Sequence, residues 1–418
     1  MTMMPTKRRL ALPLTSCCWV AVLLLFEGGN AFVPSQSMTS RRGNVAGATS
    51  LKEQTTANEI DNAAQSSLAM NEVDRRSLLG GIAASMLGVS SSSLLLNNDY
   101  AAYAKQSTKN AKIPTWKLPN NVIMPTLALN TVGLSVEETT RAVGIAVVNG
   151  MTHIDFHPGK ERDGVAQYLK SNPTSRKNLF LNTKIRKAPP GTSPSDAAAN
   201  TRAQIDEDLS ILGVDSVDML MLRDSPDCDV IQAQWSVLEE ALKEGKCRSV
   251  GVINFCRGAL DCVLETAKVK PALNYYMLHV GMGPDAHGLR SYCTSRGIRT
   301  FAYGATGEPG PSSALLADPT VVSIANNRGK SPEEVALRWV LQTGAAVSVR
   351  PTLEFGLGLG ACRDDGTCAA GLEKRAGSFN WELTKEEMGL LSELTSPDDN
   401  PTLFSSSGCP GAFVMPKK

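Results

Sequence analysis

From residue 105 onward the chain alternates short apolar runs with longer amphipathic segments. The runs lie at Thr126–Leu129, Met151–Ile154, Leu179–Asn182, Val217–Leu222, Ser249–Ile253, Ala272–Tyr276, Arg299–Ala302 and Ala346–Val349. Their length and content predict eight strands. Between them, segments such as Val136–Val148, Pro194–Leu212, Val230–Glu244 and Pro332–Gln342 carry apolar residues at helical spacing. Ser135 with Glu138 has the capping-box spacing, and Ser331-Pro332-Glu333-Glu334 is a helix start with proline in its first turn. Gly150, Gly213, Gly245, Gly297 and Gly344 follow helical segments, where a left-handed closing residue is wanted.

Eight strands alternating with helices in about 230 residues predict a closed (β/α)8 barrel, the TIM-barrel architecture. A doubly wound open sheet is the competitor. It usually carries a glycine-rich turn after its first strand, and no G-x-G-x-x-G follows Thr126–Leu129. Residues 356–378, rich in glycine and containing Cys362 and Cys368, are expected to form a loop inserted after the eighth strand. A terminal helix is expected at Thr384–Leu394.

The residues before the barrel read as addresses rather than fold. Arg8 and Arg9 precede the uncharged run Leu10–Phe26 and the small residues that follow, which describes a signal peptide over 1–31. Residues 32–74 open with Phe32-Val-Pro and are rich in Ser, Thr, Ala and Asn. They resemble the plastid-targeting sequences of algae with secondary plastids. Arg75-Arg76-Ser77-Leu78-Leu79 leads into the weakly apolar stretch Gly80–Leu96, and Ala102-Tyr103-Ala104 offers a cleavage site. Residues 75–104 therefore look like a twin-arginine transfer signal. In order, these segments point to the plastid (chloroplast), in the thylakoid lumen, with a barrel domain over 105–418. An uncleaved second segment would instead anchor the protein in the thylakoid membrane.

Charge then narrows the partners. The chain carries 42 Lys+Arg and 41 Asp+Glu, and its hydrophobic content of 42% is enough to bury a core. The first 104 residues hold eight basic and seven acidic side chains, leaving 34 of each sign to the barrel domain. A neutral body without a basic stripe argues against a nucleic-acid partner. The domain is expected to be a monomer without a membrane span after processing. Of the eight cysteines beyond the leader, none sits in a C-x-x-C pair or at zinc-ligand spacing, so no metal is expected. Cys362 and Cys368 bracket a turn-forming stretch that could close as a disulfide in an oxidising compartment. The other six are expected to be buried small hydrophobes.

Barrel chemistry gathers at the carboxyl ends of the strands. That rule selects Asp155, Lys184, Arg223, Asn254, Tyr275, Tyr303 and Arg350. One acid, three cations, an amide and two phenols would then share one mouth.

Several of these stretches resemble those of the aldo-keto reductases. His153-Ile-Asp155 resembles the segment bearing that family's aspartate, and Asn182-Thr-Lys184 the one bearing its lysine. Gly245-Lys-Cys-Arg-Ser-Val-Gly-Val-Ile-Asn254-Phe255 resembles the signature that ends in a cofactor-binding asparagine. Pro271-Ala-Leu-Asn274 and Val335-Ala-Leu-Arg-Trp339 match further signatures in order. The likeness runs from about Leu118 to Leu394. It implies hydride transfer between NADP(H) and a carbonyl or alcohol, with a tyrosine as proton donor activated by the lysine–aspartate pair and a histidine polarising the carbonyl.

The resemblance breaks at the donor. After Asp155 the chain reads Phe156-His157-Pro158-Gly159-Lys160, and no tyrosine occurs before Tyr168. Arg223 stands where the family has its histidine. His157 or Lys160 could take over proton donation, an ordinary histidine titrating near ~6.5; the other reading of His157 is a turn cap beside Pro158. Arg223 could grip an anionic substrate, or else pair with Asp155 or Asp224. Toward the cofactor, the resemblance implies that Asn254 holds the nicotinamide carboxamide and Tyr303 stacks on its ring. Tyr275 replaces a glutamine, Thr306 lies in a stretch able to cradle the pyrophosphate, and Arg350 and Thr352 occupy the ribose-phosphate region. The arginine and asparagine expected farther along that arm are absent. Two functions follow: a reductase with an altered donor, or a barrel without turnover that binds a ligand or assists assembly in the lumen. An imine-forming enzyme using Lys184 is a third, supported by the lysine alone.

Overall fold

The computed structural model describes residues 112–285, 288–306, 312–352, 362–364 and 366–394. The leader segments 1–31, 32–74 and 75–104, residues 356–361 and 365 of the insert after the last strand, and Cys409 lie outside the described residues.

A short antiparallel hairpin comes first, β1 (Thr115–Lys117) and β2 (Ile123–Pro125), with Trp116 opposite Met124. Asn120 and Asn121 turn it with φ of 61° and 60°, a conformation asparagine tolerates better than most side chains. Eight parallel strands follow: β3 (Leu127–Asn130), β4 (His153–Asp155), β5 (Phe180–Lys184), β6 (Met219–Arg223), β7 (Val250–Ile253), β8 (Leu273–Met277), β9 (Arg299–Tyr303) and β10 (Ala346–Val349). They close in sequence order, β10 pairing with both β9 and β3. The barrel expected from the alternation is the fold.

The helices are α1 (Val136–Val148), α2 (Lys160–Ser171), α3 (Pro194–Leu212), α4 (Cys228–Lys243), α5 (Arg257–Thr266), α6 (Leu289–Ser295), α7 (Ser312–Leu316), α8 (Pro319–Arg328), α9 (Pro332–Gln342), α10 (Thr367–Ala376) and α11 (Lys385–Ser392). Both expected capping boxes are present, at Ser135–Glu138 and Ser331–Glu334. Gly213 ends α3 at φ 65°, the left-handed closure that its position predicts.

The period-2 alternation of the strands sorts side chains into two cores. Leu220 and Leu222 of β6 face the helices, whereas Met219 and Met221 join Ala128, Phe180, Phe301 and Ala346 inside the barrel. Leu118, Val122 and Met124 of the hairpin pack into the same inner cluster, so the hairpin plugs one end of the barrel. The other end holds the charged and polar strand termini.

Two expectations are corrected. Residues 367–376, placed within a loop, form α10. Its buried Cys368, Ala369, Leu372 and Ala376 recur at helical spacing, a stripe masked in the sequence by neighbouring glycines and charges. Cys228 and Cys262, read as small hydrophobes, form a disulfide with Cα atoms 5.9 Å apart, and Cys256 is also disulfide-bonded. The pairing joins the start of α4 to α5, a tertiary contact across 34 residues that spacing does not reveal. Cys362–Cys368 is bridged, and Cys247 and Cys293 are free and buried.

Candidate active site

Strand parity aims Asn130, Asp155, Lys184, Arg223 and Tyr275 into the barrel, on the same faces as the inner-core residues two positions away. Asp155 is the hub. Its Oδ1 accepts from Lys184 Nζ and, at 3.1 Å, from Asn182 Nδ2. Its Oδ2 accepts from Tyr275 and Ser348, both at 2.7 Å. Asp155 and Lys184 are wholly buried. Burial opposes ionisation of Asp155, but Lys184, with the nearby His157 and the hydrogen bonds, outweighs it and holds the carboxyl below its ordinary range. Burial also pulls the Lys184 ammonium down, against the attraction of Asp155.

The space beside Lys184 belongs to Tyr275. Its ring centroid lies 5.5 Å from Nζ, while its hydroxyl reaches Asp155 and accepts from Asn130 at 3.2 Å. Burial and the Asp155 charge push the Tyr275 hydroxyl well above the ordinary tyrosine value, so it is a poor acid. Beneath it His153 donates from Nδ1 to the Pro125 carbonyl (2.9 Å) and accepts from Asn182 at Nε2 (3.3 Å); burial lowers its pKa to about 4 and keeps it neutral.

His157 lies in the loop after β4, where Gly159 at φ 102° admits the chain to α2. Its Nδ1 stands 3.0 Å from Glu161 Oε2, and its backbone N–H donates to the same oxygen at 2.9 Å. Glu161 also accepts from Thr131 Oγ1 (3.0 Å) and the Gly133 amide (3.1 Å). Burial works against its charge, but the His157 contacts and the Gly133 amide prevail and hold its pKa at about 2. His157 is thus oriented by a permanent carboxylate, and its Nε2 has no hydrogen bond among the described residues. Lys160, the other candidate, is exposed at the start of α2. Sequence reading missed Glu161; its i+4 spacing from His157 was the available signal.

Arg223 is half-buried at the end of β6 and makes neither a hydrogen bond nor an ion pair among the described residues. Asp155 is saturated by four donors, and Asp224, nearly buried, pairs with Lys187 at 3.1 Å. Arg223 pairs with neither.

Asn254 follows β7 at φ 62°, a left-handed position that asparagine tolerates. Its Oδ1 accepts from the Tyr303 hydroxyl at 2.8 Å, and its Nδ2 has no partner among the described residues. Burial raises the Tyr303 pKa to about 12. Farther round the rim, Thr306, Arg350, Lys374 and Arg375 line one groove between β10, α9 and α10, together with Glu333 and Glu334 of α9. Thr352 beside it is buried with an unpartnered Oγ1. Lys374 and Arg375 escaped the sequence reading; the insert hid that α10 returns to the rim. Gly371 permits that approach, since a Cβ there would strike the Pro351 carbonyl. Among the described residues no group of three His, Cys, Asp or Glu could hold a metal ion.

A closed barrel with a buried Asp–Lys pair and a charged groove at one rim defines a (β/α)8 protein with its polar site at the carboxyl ends of the strands. Residues 123–357 match the aldo/keto reductase family, and the chain belongs to that family. It is 28% identical over 286 residues to the glyoxal reductase of Bacillus subtilis, spanning 68% of this chain and 94% of that protein. It is 33% identical over 243 residues to an aldo-keto reductase of Mycobacterium tuberculosis, spanning 57% and 82%. A solved aldo/keto reductase from Brucella melitensis superposes with a TM-score of 0.56 at 26% identity, covering 68% of this chain and 99% of that one.

Proposed function

We propose that this protein is an NADP(H)-dependent carbonyl reductase in which His157, held by Glu161, moves the proton. The carrying observation is the shared Glu161 oxygen, which takes both the His157 backbone N–H and Nδ1. A carboxylate at Nδ1 orients the ring and leaves Nε2 to face a substrate oxygen.

The residues fit the cofactor. Asn254 Nδ2 is free for the carboxamide and Tyr303 supplies a ring beside it. The unsatisfied Thr352 hydroxyl, Arg350, Lys374 and Arg375 match a ribose phosphate. When bound, NADPH supplies a hydride to the carbonyl carbon. His157 gives a proton to the carbonyl oxygen and regains one from solvent. Asp155 and Lys184, buried beneath, position the floor of the site and set its charge; they do not touch substrate. Positioned acid catalysis is worth about 10²- to 10⁴-fold. Oxidation of NADPH at 340 nm across an aldehyde panel tests the reading, with His157→Gln expected to lose most of the rate.

The complete burial of Asp155 and Lys184 favours a second reading, a barrel that binds a ligand without turnover. Quenching of nicotinamide fluorescence with no oxidation by any aldehyde would select it. We further propose that the protein works in the thylakoid lumen, a reading supported by the leader motifs and by disulfides, which persist in oxidising compartments. Protease protection inside isolated thylakoids, with a mature amino terminus near Lys105, tests it.

A further inference from the structure

We propose that the mouth takes a 2-oxo acid, a carbonyl compound with a carboxylate on the neighbouring carbon, and that Arg223 is the residue that grips the carboxylate. This rests on the reductase reading above for its chemistry, but not for its binding site.

Parity sets the direction. Leu220 and Leu222 face the helices and Met219 and Met221 fill the barrel interior, so Arg223 continues the inward row at its open end. β5 on one side carries Lys184, and β7 on the other leads into Asn254. Arg223 therefore stands between the Asp155–Lys184 floor and the residue proposed to hold the nicotinamide. A carboxylate held there sits between the floor and the nicotinamide side of the mouth, so the proposal places it next to the reacting carbonyl and not at the far end of a chain.

Charge accounting points the same way. Among the described residues, the acids around this part of the mouth have direct partners other than Arg223. Asp155 takes Lys184, Asn182, Tyr275 and Ser348; Asp224 takes Lys187; Glu161 takes His157, Thr131 and Gly133. Lys184 is neutralised by Asp155, and a protonated His157 by Glu161. Arg223 makes no ion pair or hydrogen bond of its own among the described residues, Asp224 attracting it only from a distance, and its half-buried guanidinium has lost part of its water without gaining a direct partner. Its charge reaches Lys184, Tyr303 and Asp224, so it lies over the site and not out in solvent. A guanidinium offers a carboxylate two parallel N–H donors, which a neutral aldehyde cannot use.

The test uses two probe sets on the purified protein. Oxamate, a 2-oxo acid isostere that cannot be reduced, is titrated by calorimetry. Phenylglyoxylate and its methyl ester are compared as substrates at saturating NADPH. The expected results are oxamate binding in the wild type, and a kcat/KM for the acid exceeding that for the ester by at least about tenfold. Arg223→Gln should abolish detectable oxamate binding and collapse the acid-to-ester ratio toward one, chiefly through KM. Arg223→Lys, which keeps the charge but not the fork, should fall between. Thermal melts confirm that both variants are folded. Wild-type protein that does not bind oxamate, or Arg223→Gln that binds it equally well, overturns the proposal. Oxamate binding through Arg223 without turnover of any substrate would leave the anion site standing and remove the reductase reading. Reduction of aldehydes without oxamate binding would do the reverse.

Discussion

The Tyr275 hydroxyl donates to Oδ2 of Asp155 at 2.7 Å, joining β8 to β4 across the barrel interior. That bond turns a residue expected at the cofactor into part of the floor, and it leaves the Lys184 ammonium to Asp155 Oδ1 and the Phe156 carbonyl. Tyr275→Phe should lower stability by about 1–2 kcal/mol, because a buried carboxylate oxygen loses one of its two donors. Urea denaturation of both proteins at pH 7 measures the difference. Loss of turnover greater than that caused by His157→Gln would instead make Tyr275 the proton source.

His157 and Glu161 should fail together. Glu161→Gln removes the carboxylate that orients the His157 ring, so kcat should fall by about tenfold or more. The double variant should be little worse than His157→Gln alone, since the two act as one unit. Additive losses would contradict the pairing. Glu161 also carries a linkage effect. Its folded pKa of about 2 lies below the ordinary glutamate value, so its contribution of roughly 3 kcal/mol is complete above about pH 4.5 and is lost as pH falls toward 2.

Two buried histidines act at milder pH. His153 and His279 are held neutral by burial, with pKa values of about 4. The unfolded chain therefore takes up protons first, between pH 6.5 and 4. Stability should be full above 6.5 and decline toward 4, by on the order of 3 kcal/mol per histidine. Denaturation at pH 7 and at pH 4.5 checks this, and His279→Gln should remove about half of the pH dependence. An acidified compartment would draw on that reserve.

The disulfides should separate by role. Breaking Cys228–Cys262 with paired serines opens a closure across 34 residues and should cost about 3–4 kcal/mol of stability. Breaking Cys362–Cys368 frees the start of α10, which presents Lys374 and Arg375 to the groove with Arg350. Its expected signature is a several-fold rise in the NADPH Kd with a smaller change in melting temperature. Equal NADPH affinity before and after reduction would detach α10 from the cofactor.

Much of the architecture was legible in the residues alone. Strand and helix periods, the boxes at Ser135 and Ser331 and the closing Gly213 are local signals, set by how a few neighbouring residues satisfy the backbone. Strand ends follow from the same patterning, which places Asp155, Lys184 and Arg223 at the barrel mouth from sequence alone. Their partners were not legible. Tyr275 and Asp155 lie 120 residues apart, Ser348 and Asp155 193 apart, and nothing local in either pair announces the other. Likewise α10 was read as loop, and its cations reach the groove only because Gly371 lets the helix lie against Pro351. Short-range patterning determined which elements form and which face each residue takes. Closure of the barrel decided which charges are neutralised, since burial and pairing depend on side chains that meet only when distant strands come together.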